Sequence, residues 1–507
     1  MTASEILPAA LRRNMMRYRY AALALTIFAV AFAVRLYALG AKPYWLDETA
    51  TVIRASLSLP DMIQSSLNSN HSPLYFMVVA PLTRIGGGEA TLRLPSALFG
   101  ALACPVAGAI AARIGGRAAG AMTGLMMALS PALVAYGQEA RSYALVTLLV
   151  AVSLYGLVRL SLDLPAAARP FGDPLAPRGA WITYGAVAAA ALNVEGTALV
   201  WPLAGFVATL AMAWRRGAVG RGLIRNSIVV HGAVVLLALP CYGAIAAVAA
   251  AADRPLMMAL SWIPPLNFAD VVRDVVGLFF FQIDDPINNR LIMGAVPPLG
   301  IAVASLAALG AWQLSRRHAA SLIALGFATL TLPVLLVALA PIDTYWTGRY
   351  LLWSTVPFFV VAGIGIGAVP MRWRAAAAVA FGILGLVNLT SYYSAETKPR
   401  WDLAADLLRR DGGDRDLLLF SDKSLGSYVL GFYLARDGAN IPAKTTRLAD
   451  ARKHIAAGGR VWGVYGYAGQ EARETPDDFR RRIAVLGRPG ITLTAGDGIV
   501  LYRFDPK

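Results

Sequence analysis

The feature that most constrains this chain is a series of long apolar runs. A helix needs about 20 apolar residues to cross the hydrocarbon core of a bilayer. Runs of about that length recur near residues 21–39, 91–113, 117–135, 142–161, 180–194, 197–213, 227–250, 290–313, 319–341, 350–368 and 375–393. The sequence therefore predicts a mainly α, polytopic membrane protein with about eleven transmembrane helices.

Composition supports a membrane protein and excludes other classes. Hydrophobic residues make up 57% of the chain and charged residues 15%, against roughly 45–50% and about 25% in soluble proteins. Both cysteines, Cys104 and Cys241, lie in apolar runs, which excludes a disulfide framework and a cysteine-rich metal site. The net charge of +16 comes from arginines between apolar runs, so it indicates topology and no nucleic-acid partner.

The order of charges predicts an orientation. Arginines precede the first run and then recur in every second connection, a bias typical of the cytoplasmic side. The alternate connections carry carboxylates, among them Asp47, Glu48, Glu89, Glu139 and Glu195. We therefore expect a multi-pass membrane protein with its functional residues on the extracytoplasmic face, which is the periplasmic face of the inner (plasma) membrane if the cell is a bacterium with two membranes.

The predicted orientation of the later connections depends on how residues 73–85 are interpreted. The run is apolar but too short to span, so we interpret 40–90 as one long external loop with an interfacial helix. A short or tilted spanning helix is the alternative. A second large external loop, 251–289, is rich in aromatic residues and fits an interfacial anchor better than a gate.

The composition changes after residue 396. Residues 397–507 lack a spanning run, and helical stretches alternate there with short apolar runs. We predict a transmembrane domain over 1–396 and a small periplasmic α/β domain over 397–507.

Ionisable residues near a bilayer are costly and mark candidate functional sites. Asp47 and Glu48 follow the first run, and either catalysis or helix capping by Asp47 explains them. His71 is a substrate contact or a capping residue, and Arg93 binds substrate or snorkels to headgroups. Further candidates in external connections are Lys42, Glu139, Arg141, Tyr143, Glu195, Arg349 and Tyr350.

The order of these motifs resembles one superfamily. The Asp47-Glu48 pair, the run from His71 to Tyr75, Arg93-Leu94-Pro95-Ser96, and Ser130-Pro131 followed by Gln138–Tyr143 resemble the GT-C glycosyltransferases. Within these, the match is to the polyprenyl-phosphate-mannose protein transferase and aminoarabinose transferase group. It is strong over about 20–160, whereas Arg349-Tyr350 and Lys398–Trp401 match weakly. Ser72 replaces a common proline, and Glu195 stands where relatives often have His or Tyr.

The resemblance implies a membrane enzyme that transfers a sugar from a polyprenyl-phosphate donor, with inversion, to an envelope acceptor. Acceptors of related enzymes include lipid A or lipopolysaccharide, polysaccharide, glycolipid and protein. Asp47 matches the essential acid and becomes the first candidate for the general base, with Glu48 and Glu139 as further catalytic candidates.

Arginines suit phosphate recognition, so Arg141 and Arg349 are the first candidates for the donor phosphate. Arg93, His71 and Lys42 come next, and Tyr143, Glu195 and Tyr350 complete the predicted substrate-binding set. With such a clamp no cofactor is required. A Mg²⁺ or Mn²⁺ ion on Asp47 and Glu139 is the alternative. The rival function is a polytopic transporter or flippase for a lipid-linked or small substrate.

Overall fold

A computed structural model describes most of the chain in two compact units. The described residues are 9–214, 216–253, 263–282, 290–342, 345–413, 415–421, 425–436, 438, 442–466, 475–496 and 498–506. The membrane unit comprises the chain through Leu39, Leu57–Pro81 and Arg93–Ala395. The sheet unit comprises Gly40–Ser56, Leu82–Leu92 and the described part of the chain from Glu396 onward.

In the described ranges, sixteen α-helices precede the C-terminal segment. They are α1 (Ala9–Leu36), α2 (Leu46–Ala55), α3 (Leu59–Asn68), α4 (Leu74–Arg84), α5 (Glu89–Leu129), α6 (Pro131–Gly137), α7 (Tyr143–Leu162), α8 (Leu164–Ala167), α9 (Arg178–Leu192), α10 (Val200–Ala213), α11 (Gly217–Ala251), α12 (Phe268–Phe280), α13 (Arg290–Arg317), α14 (Ala319–Leu339), α15 (Thr355–Gly365) and α16 (Met371–Ser394). Short 3₁₀ helices, Gly196–Leu199 and Gly348–Ser354, lead into α10 and α15.

Within the described residues, nine helical segments are long and apolar enough to span a membrane. One of them is α5, which is broken at Gly116, where φ is +81° and a side chain would be strained. The two predicted runs 91–113 and 117–135 lie on either side of this break. Helix α9, with 15 residues, is shorter than a usual spanning helix. The predicted mainly α, polytopic architecture is confirmed.

Ser130 and Pro131 fix the turn between α5 and α6, which leads to the candidate site. Pro131 lacks the backbone N–H that would continue α5, so the helix ends at Leu129. Ser130 then caps α6, its hydroxyl accepting a hydrogen bond from the N–H of Leu133. Helix α6 ends at Gly137, and the connection to α7, which carries several candidate site residues, begins there.

The predicted loop 40–90 contains three helices, α2, α3 and α4. Helix α4 has 11 residues, which agrees with the expectation that residues 73–85 are too short to span. Of the predicted loop 251–289, the structure describes 251–253 and 263–282, where α12 lies.

The C-terminal segment forms a five-stranded sheet with helices. The elements are α17 (Trp401–Asp411), β1 (Leu417–Phe420), α18 (Leu425–Arg436), β2 (Ala443–Thr445), α19 (Leu448–Ala456), β3 (Val461–Tyr465), α20 (Pro476–Ile483), β4 (Ile491–Thr494) and β5 (Val500–Phe504). The strand order is β2-β1-β3-β5-β4. The first three strands are parallel, and β5 is antiparallel to β3 and β4.

Two stretches of the predicted first loop belong to this sheet unit, although the sequence assigned all of 40–90 to the transmembrane domain. Tyr433 on α18 explains why: its hydroxyl accepts a hydrogen bond from the N–H of Tyr44 at 2.6 Å and donates one to Glu89. Arg436 adds an ion pair to Glu89 at 2.8 Å. The C-terminal segment thus binds the beginning and the end of the loop.

Candidate functional site

The connection between α6 and α7 carries a buried polar cluster in the membrane unit. Gln138, Glu139, Arg141 and Tyr143 are each no more than 9% exposed. The side-chain amide of Gln138 donates to the carbonyl oxygens of Arg35 at 2.9 Å and Tyr37 at 2.7 Å. Because these carbonyls end α1, Gln138 fixes the connection to the first helix.

Arg141 is held by its backbone and by an aromatic ring. The Ser96 hydroxyl donates to the Arg141 carbonyl at 3.0 Å and is itself hydrogen-bonded to the Tyr75 hydroxyl at 2.7 Å. The guanidinium lies 5.6 Å from the centre of the Tyr143 ring, in cation–π range. A preorganised, largely desolvated cation of this kind suits a phosphate group.

Glu195 reaches the same cluster from a helix interruption. Its carboxylate accepts a hydrogen bond from the hydroxyl of Ser142, which directly precedes α7. The interruption between α9 and the next 3₁₀ helix is fixed on both sides. The hydroxyl of Ser72 donates to the carbonyl of Asn193, and that of Tyr242 donates to the carbonyl of Leu192 at 2.8 Å.

The second arginine comes from the 3₁₀ helix Gly348–Ser354. Arg349 and Tyr350 are half-buried there. Arg141, Arg349, Glu195 and Tyr143 all lie close enough to act electrostatically on Tyr350. The structure therefore brings together six residues that the sequence singled out separately: Glu139, Arg141, Tyr143, Glu195, Arg349 and Tyr350.

Two neighbouring groups titrate unusually. Burial, reinforced by the Glu139 carboxylate and opposed by Arg349, raises the pKa of Tyr136 far above its usual range. The Tyr136 ring packs edge-on against the Tyr143 ring, with 5.4 Å between the ring centres. Burial also raises the pKa of Asp274, although this carboxylate accepts a hydrogen bond from the Trp346 indole at 2.9 Å.

Two other predicted residues of the membrane unit have well-defined structural partners. Arg93 is 1% exposed and donates to the carbonyl of Leu39 at 3.0 Å, so it does not snorkel to headgroups. His71 Nδ1 lies 2.6 Å from the carbonyl of Ser69, and its ring is tilted against that of Phe76.

The acid pair lies in the sheet unit, in the first turn of α2. Glu48 is fully buried and forms an ion pair with Lys398 at 2.6 Å. Asp47 is partly exposed on the same turn. The environments of the two carboxylates thus differ, and only Asp47 is accessible to water. Lys42 donates to the Thr397 hydroxyl at 2.9 Å.

No group of three or more His, Cys, Asp or Glu side chains is arranged to hold a metal ion in the part of the chain that the structure describes. Glu139 and Arg349 both act electrostatically on Tyr136, so a cation shares the surroundings of this carboxylate.

Sequence reasoning missed Lys398 and Asp274 as contributors. Lys398 was noted only within a weak motif, because its partner lies 350 residues away. A signal for Asp274 does exist in the sequence, since α12 carries Asp270, Arg273 and Asp274 in an otherwise apolar helix.

Comparison with known proteins now identifies the fold. No protein-family model matches the chain, and no curated protein matches it by sequence. The crystal structure of ArnT from Cupriavidus metallidurans in the apo state matches with a TM-score of 0.62 and 14% identity, over 94% of this chain and 97% of that one. The same protein bound to undecaprenyl phosphate gives a TM-score of 0.60 at 14% identity, with the same coverage.

A more distant similarity is to the oligosaccharyltransferase of Archaeoglobus fulgidus tethered to an acceptor peptide containing the NVT sequon. The TM-score is 0.52 at 10% identity, over 91% of this chain and 68% of that one. The chain therefore shares the fold of ArnT along nearly its full length. The predicted resemblance to the GT-C fold is confirmed.

Proposed function

We propose that this protein is an integral-membrane glycosyltransferase that moves a sugar from a polyprenyl-phosphate donor to an envelope acceptor. The observation that carries the proposal is the cluster of Arg141, Arg349, Glu139, Glu195 and their tyrosines, buried or half-buried, in an ArnT-like fold. ArnT was itself crystallised with undecaprenyl phosphate, the kind of ligand that paired guanidinium groups suit.

Arg141 and Arg349 neutralise the phosphate of the donor. Negative charge builds on the phosphate as the bond to the sugar breaks, and preorganised cations stabilise that charge most in a site from which water is excluded. Arg141 is 9% exposed, and Ser96 fixes its backbone. Arg93, His71 and Lys42 remain proposed secondary substrate contacts, with Tyr143, Glu195 and Tyr350 positioning the substrates.

Asp47 is the proposed general base. It removes the proton of the acceptor hydroxyl as that oxygen attacks the anomeric carbon opposite the leaving phosphate, so the configuration inverts. Glu48 is less suited to this role because its carboxylate is committed to Lys398. Glu139 lies beside the arginines and is a candidate for orienting the sugar. No metal is needed in this scheme, and Mg²⁺ or Mn²⁺ on Asp47 and Glu139 is the alternative.

The proposed setting is the bacterial inner membrane, with transfer on the periplasmic face. A lipid A or lipopolysaccharide acceptor is preferred over polysaccharide, glycolipid or protein on the family resemblance of the motifs, and the ArnT-like fold is consistent with that preference. The sugar is a hexose or a pentose. Mass spectrometry of envelope lipids and glycans from a deletion strain tests both assignments, since one missing sugar would identify the donor and the acceptor together.

The role of Asp47 is tested by Asp47→Asn in purified, full-length protein with a lipid-linked donor. Loss of a general base lowers turnover by about 10²–10⁴-fold. The variant should still insert and express at the wild-type level. Near-normal turnover would refute the assignment of the base.

The phosphate role is tested by Arg141→Ala and Arg349→Ala. Each should weaken apparent donor affinity by about 10- to 100-fold, the cost of a lost charge-assisted hydrogen bond, with a smaller effect on the acceptor. Arg317→Ala, at the exposed end of α13, is the matched control. Unchanged donor affinity in both site variants would remove the arginines from this role. Movement of the donor across vesicles without sugar transfer would instead indicate a flippase.

A further inference from the structure

An arginine in the first helix has no role in the scheme above. Arg35 lies near the C-terminal end of α1 and is fully buried. Its guanidinium donates to backbone carbonyls of α1, α5 and α6, namely those of Ala31 at 3.0 Å, Ala128 at 3.4 Å, Met127 at 3.3 Å and Leu133 at 3.3 Å. A buried charge in a membrane protein is costly, so a buried arginine marks a position with a functional or structural role.

Two of the carbonyls that Arg35 contacts, those of Met127 and Ala128, lie in the last turn of α5, just before the proline break. In an uninterrupted helix, the N–H of residue 131 would donate to the carbonyl of Met127. Pro131 has no N–H, so this carbonyl needs another donor in an environment without water. Arg35 supplies that donor and also reaches Leu133, beyond the break. One side chain therefore links α1 to both sides of the turn.

Two glycines accommodate the arginine. A Cβ atom at Gly100 would lie 2.8 Å from Arg35 Nε, and one at Gly137 would lie 2.9 Å from it. Any larger residue at either position would collide with the side chain. The pairing with Gln138 is reciprocal, because Gln138 donates to the carbonyl of Arg35 while Arg35 donates to the helices that precede Gln138.

This arrangement adjoins the candidate site. A small cavity lies beside Arg35, and its lining includes Gly137, Tyr136, Tyr143, Thr147 and Leu352. Gly137 is the last residue of α6, so a change in how α6 ends shifts Glu139 and Arg141 directly. Leu352 belongs to the same 3₁₀ helix as Arg349 and Tyr350.

We propose that Arg35 is a positioning residue: it holds the Ser130-Pro131 turn so that the segment Tyr136–Tyr143 presents Glu139 and Arg141 to the lipid-phosphate substrate. The proposal rests on the proposed function for its final step. The structural step, that Arg35 fixes residues 130–143, stands separately and has its own measurement.

The test is hydrogen–deuterium exchange of the full chain in detergent, comparing wild type with Arg35→Met and Gly137→Ala. Amides of residues 130–143 should exchange about tenfold faster in both variants, as expected when hydrogen bonds that fix a segment are lost, whereas α14 should be unchanged. Gly326→Ala is the control, because an added Cβ there meets nothing within 4 Å. Arg35→Lys, which keeps the charge but not the branched donor, should fall between wild type and Arg35→Met.

The second readout is the rise in melting temperature caused by undecaprenyl phosphate, which should be at least halved in Arg35→Met and Gly137→Ala. Unchanged exchange at 130–143, or faster exchange spread evenly over the membrane unit, would overturn the positioning role. Faster exchange with an undiminished response to undecaprenyl phosphate would overturn the link to the substrate. If wild type itself does not respond to undecaprenyl phosphate, the proposed function fails, and the exchange pattern still decides the structural step.

Discussion

At the scale of single residues, a buried ion pair separates the roles of two adjacent carboxylates. Glu48 is fully buried against Lys398, whereas Asp47 is partly exposed one residue earlier. Neighbours on a helix point about 100° apart, so one carboxylate can face the substrate while the other fixes the helix. The sequence suggested this division of labour but not the partner, because nothing local to Glu48 indicates a lysine so distant along the chain.

We expect Lys398→Met to be strongly destabilising. It would leave the Glu48 carboxylate buried without its cation, at a cost of about 3–5 kcal/mol in the free energy of unfolding. The double variant Glu48→Gln/Lys398→Met should recover most of that loss. Thermal melting in detergent measures both. Arg410→Met is the control, since the Arg410 side chain is 67% exposed in its pair with Asp411. If Lys398→Met alone had the melting temperature of the wild type, this account would be contradicted.

The half-buried carboxyl of Asp274 gives a pH-dependent prediction. Burial raises its pKa above the ordinary value of 3.8, so ionisation is less favourable in the folded protein than in the unfolded chain. The corresponding stability is present below pH 3.8 and is lost as the pH rises through the folded pKa. Asp274→Asn, which keeps an acceptor for the Trp346 indole, should therefore melt higher than wild type at pH 7. The difference should disappear below pH 3.8. An equal difference at both pH values would refute this explanation.

At the scale of elements, glycines set how closely helices approach. Helices α13 and α15 pack backbone to backbone at Gly310 and Gly365. A Cβ at Gly310 would lie 1.8 Å from the Val361 carbonyl oxygen, and one at Gly365 would lie 2.0 Å from that of Leu306. Close approach through small residues is a usual way for membrane helices to associate. This close contact holds α15 against α13. Helix α15 follows directly after the 3₁₀ helix that carries Arg349.

Gly310→Ala should destabilise the protein by about 1–3 kcal/mol, the usual cost of overpacking, because backbone atoms cannot move aside as a side chain can. Gly294→Ala in the same helix is the control, since an added Cβ there meets nothing within 4 Å. Melting temperatures in detergent measure the effect. Equal melting of the two variants would show that α13 and α15 are not held at this distance.

Prediction from the sequence succeeded best for the helices and the turns between them. Apolar runs and the Ser130-Pro131 signal depend on neighbours along the chain, so the helices and the turn before Gln138 could be predicted. The gathering of Arg141, Glu195 and Arg349 depends on packing between distant helices. Only the resemblance to a known family suggested it. The contribution of Arg35 depends on burial, which the sequence does not display.

At the scale of the whole molecule, the distribution of charge predicts the orientation in the membrane. Basic residues flank alternate connections, so we predict that the C-terminal segment lies outside the cytoplasm. A phosphatase reporter fused after residue 507 should therefore be active, and one inserted after Arg317 should be inactive. An insertion at Gly88, where a side chain would meet nothing within 4 Å, should also be active. The reverse pattern would place Asp47 on the cytoplasmic side and remove the proposed function.

The separation of Glu48 from Lys398 also has a consequence for biosynthesis. The two residues are 350 positions apart, and ribosomes add about 5–20 residues per second, so Lys398 is made roughly 20 to 70 seconds after Glu48. During that interval the nascent chain carries an acid-bearing helix without its cation. Translation that stops before codon 398 would leave Glu48 without this cation permanently, so the first loop can mature only after the chain has been made as far as Lys398.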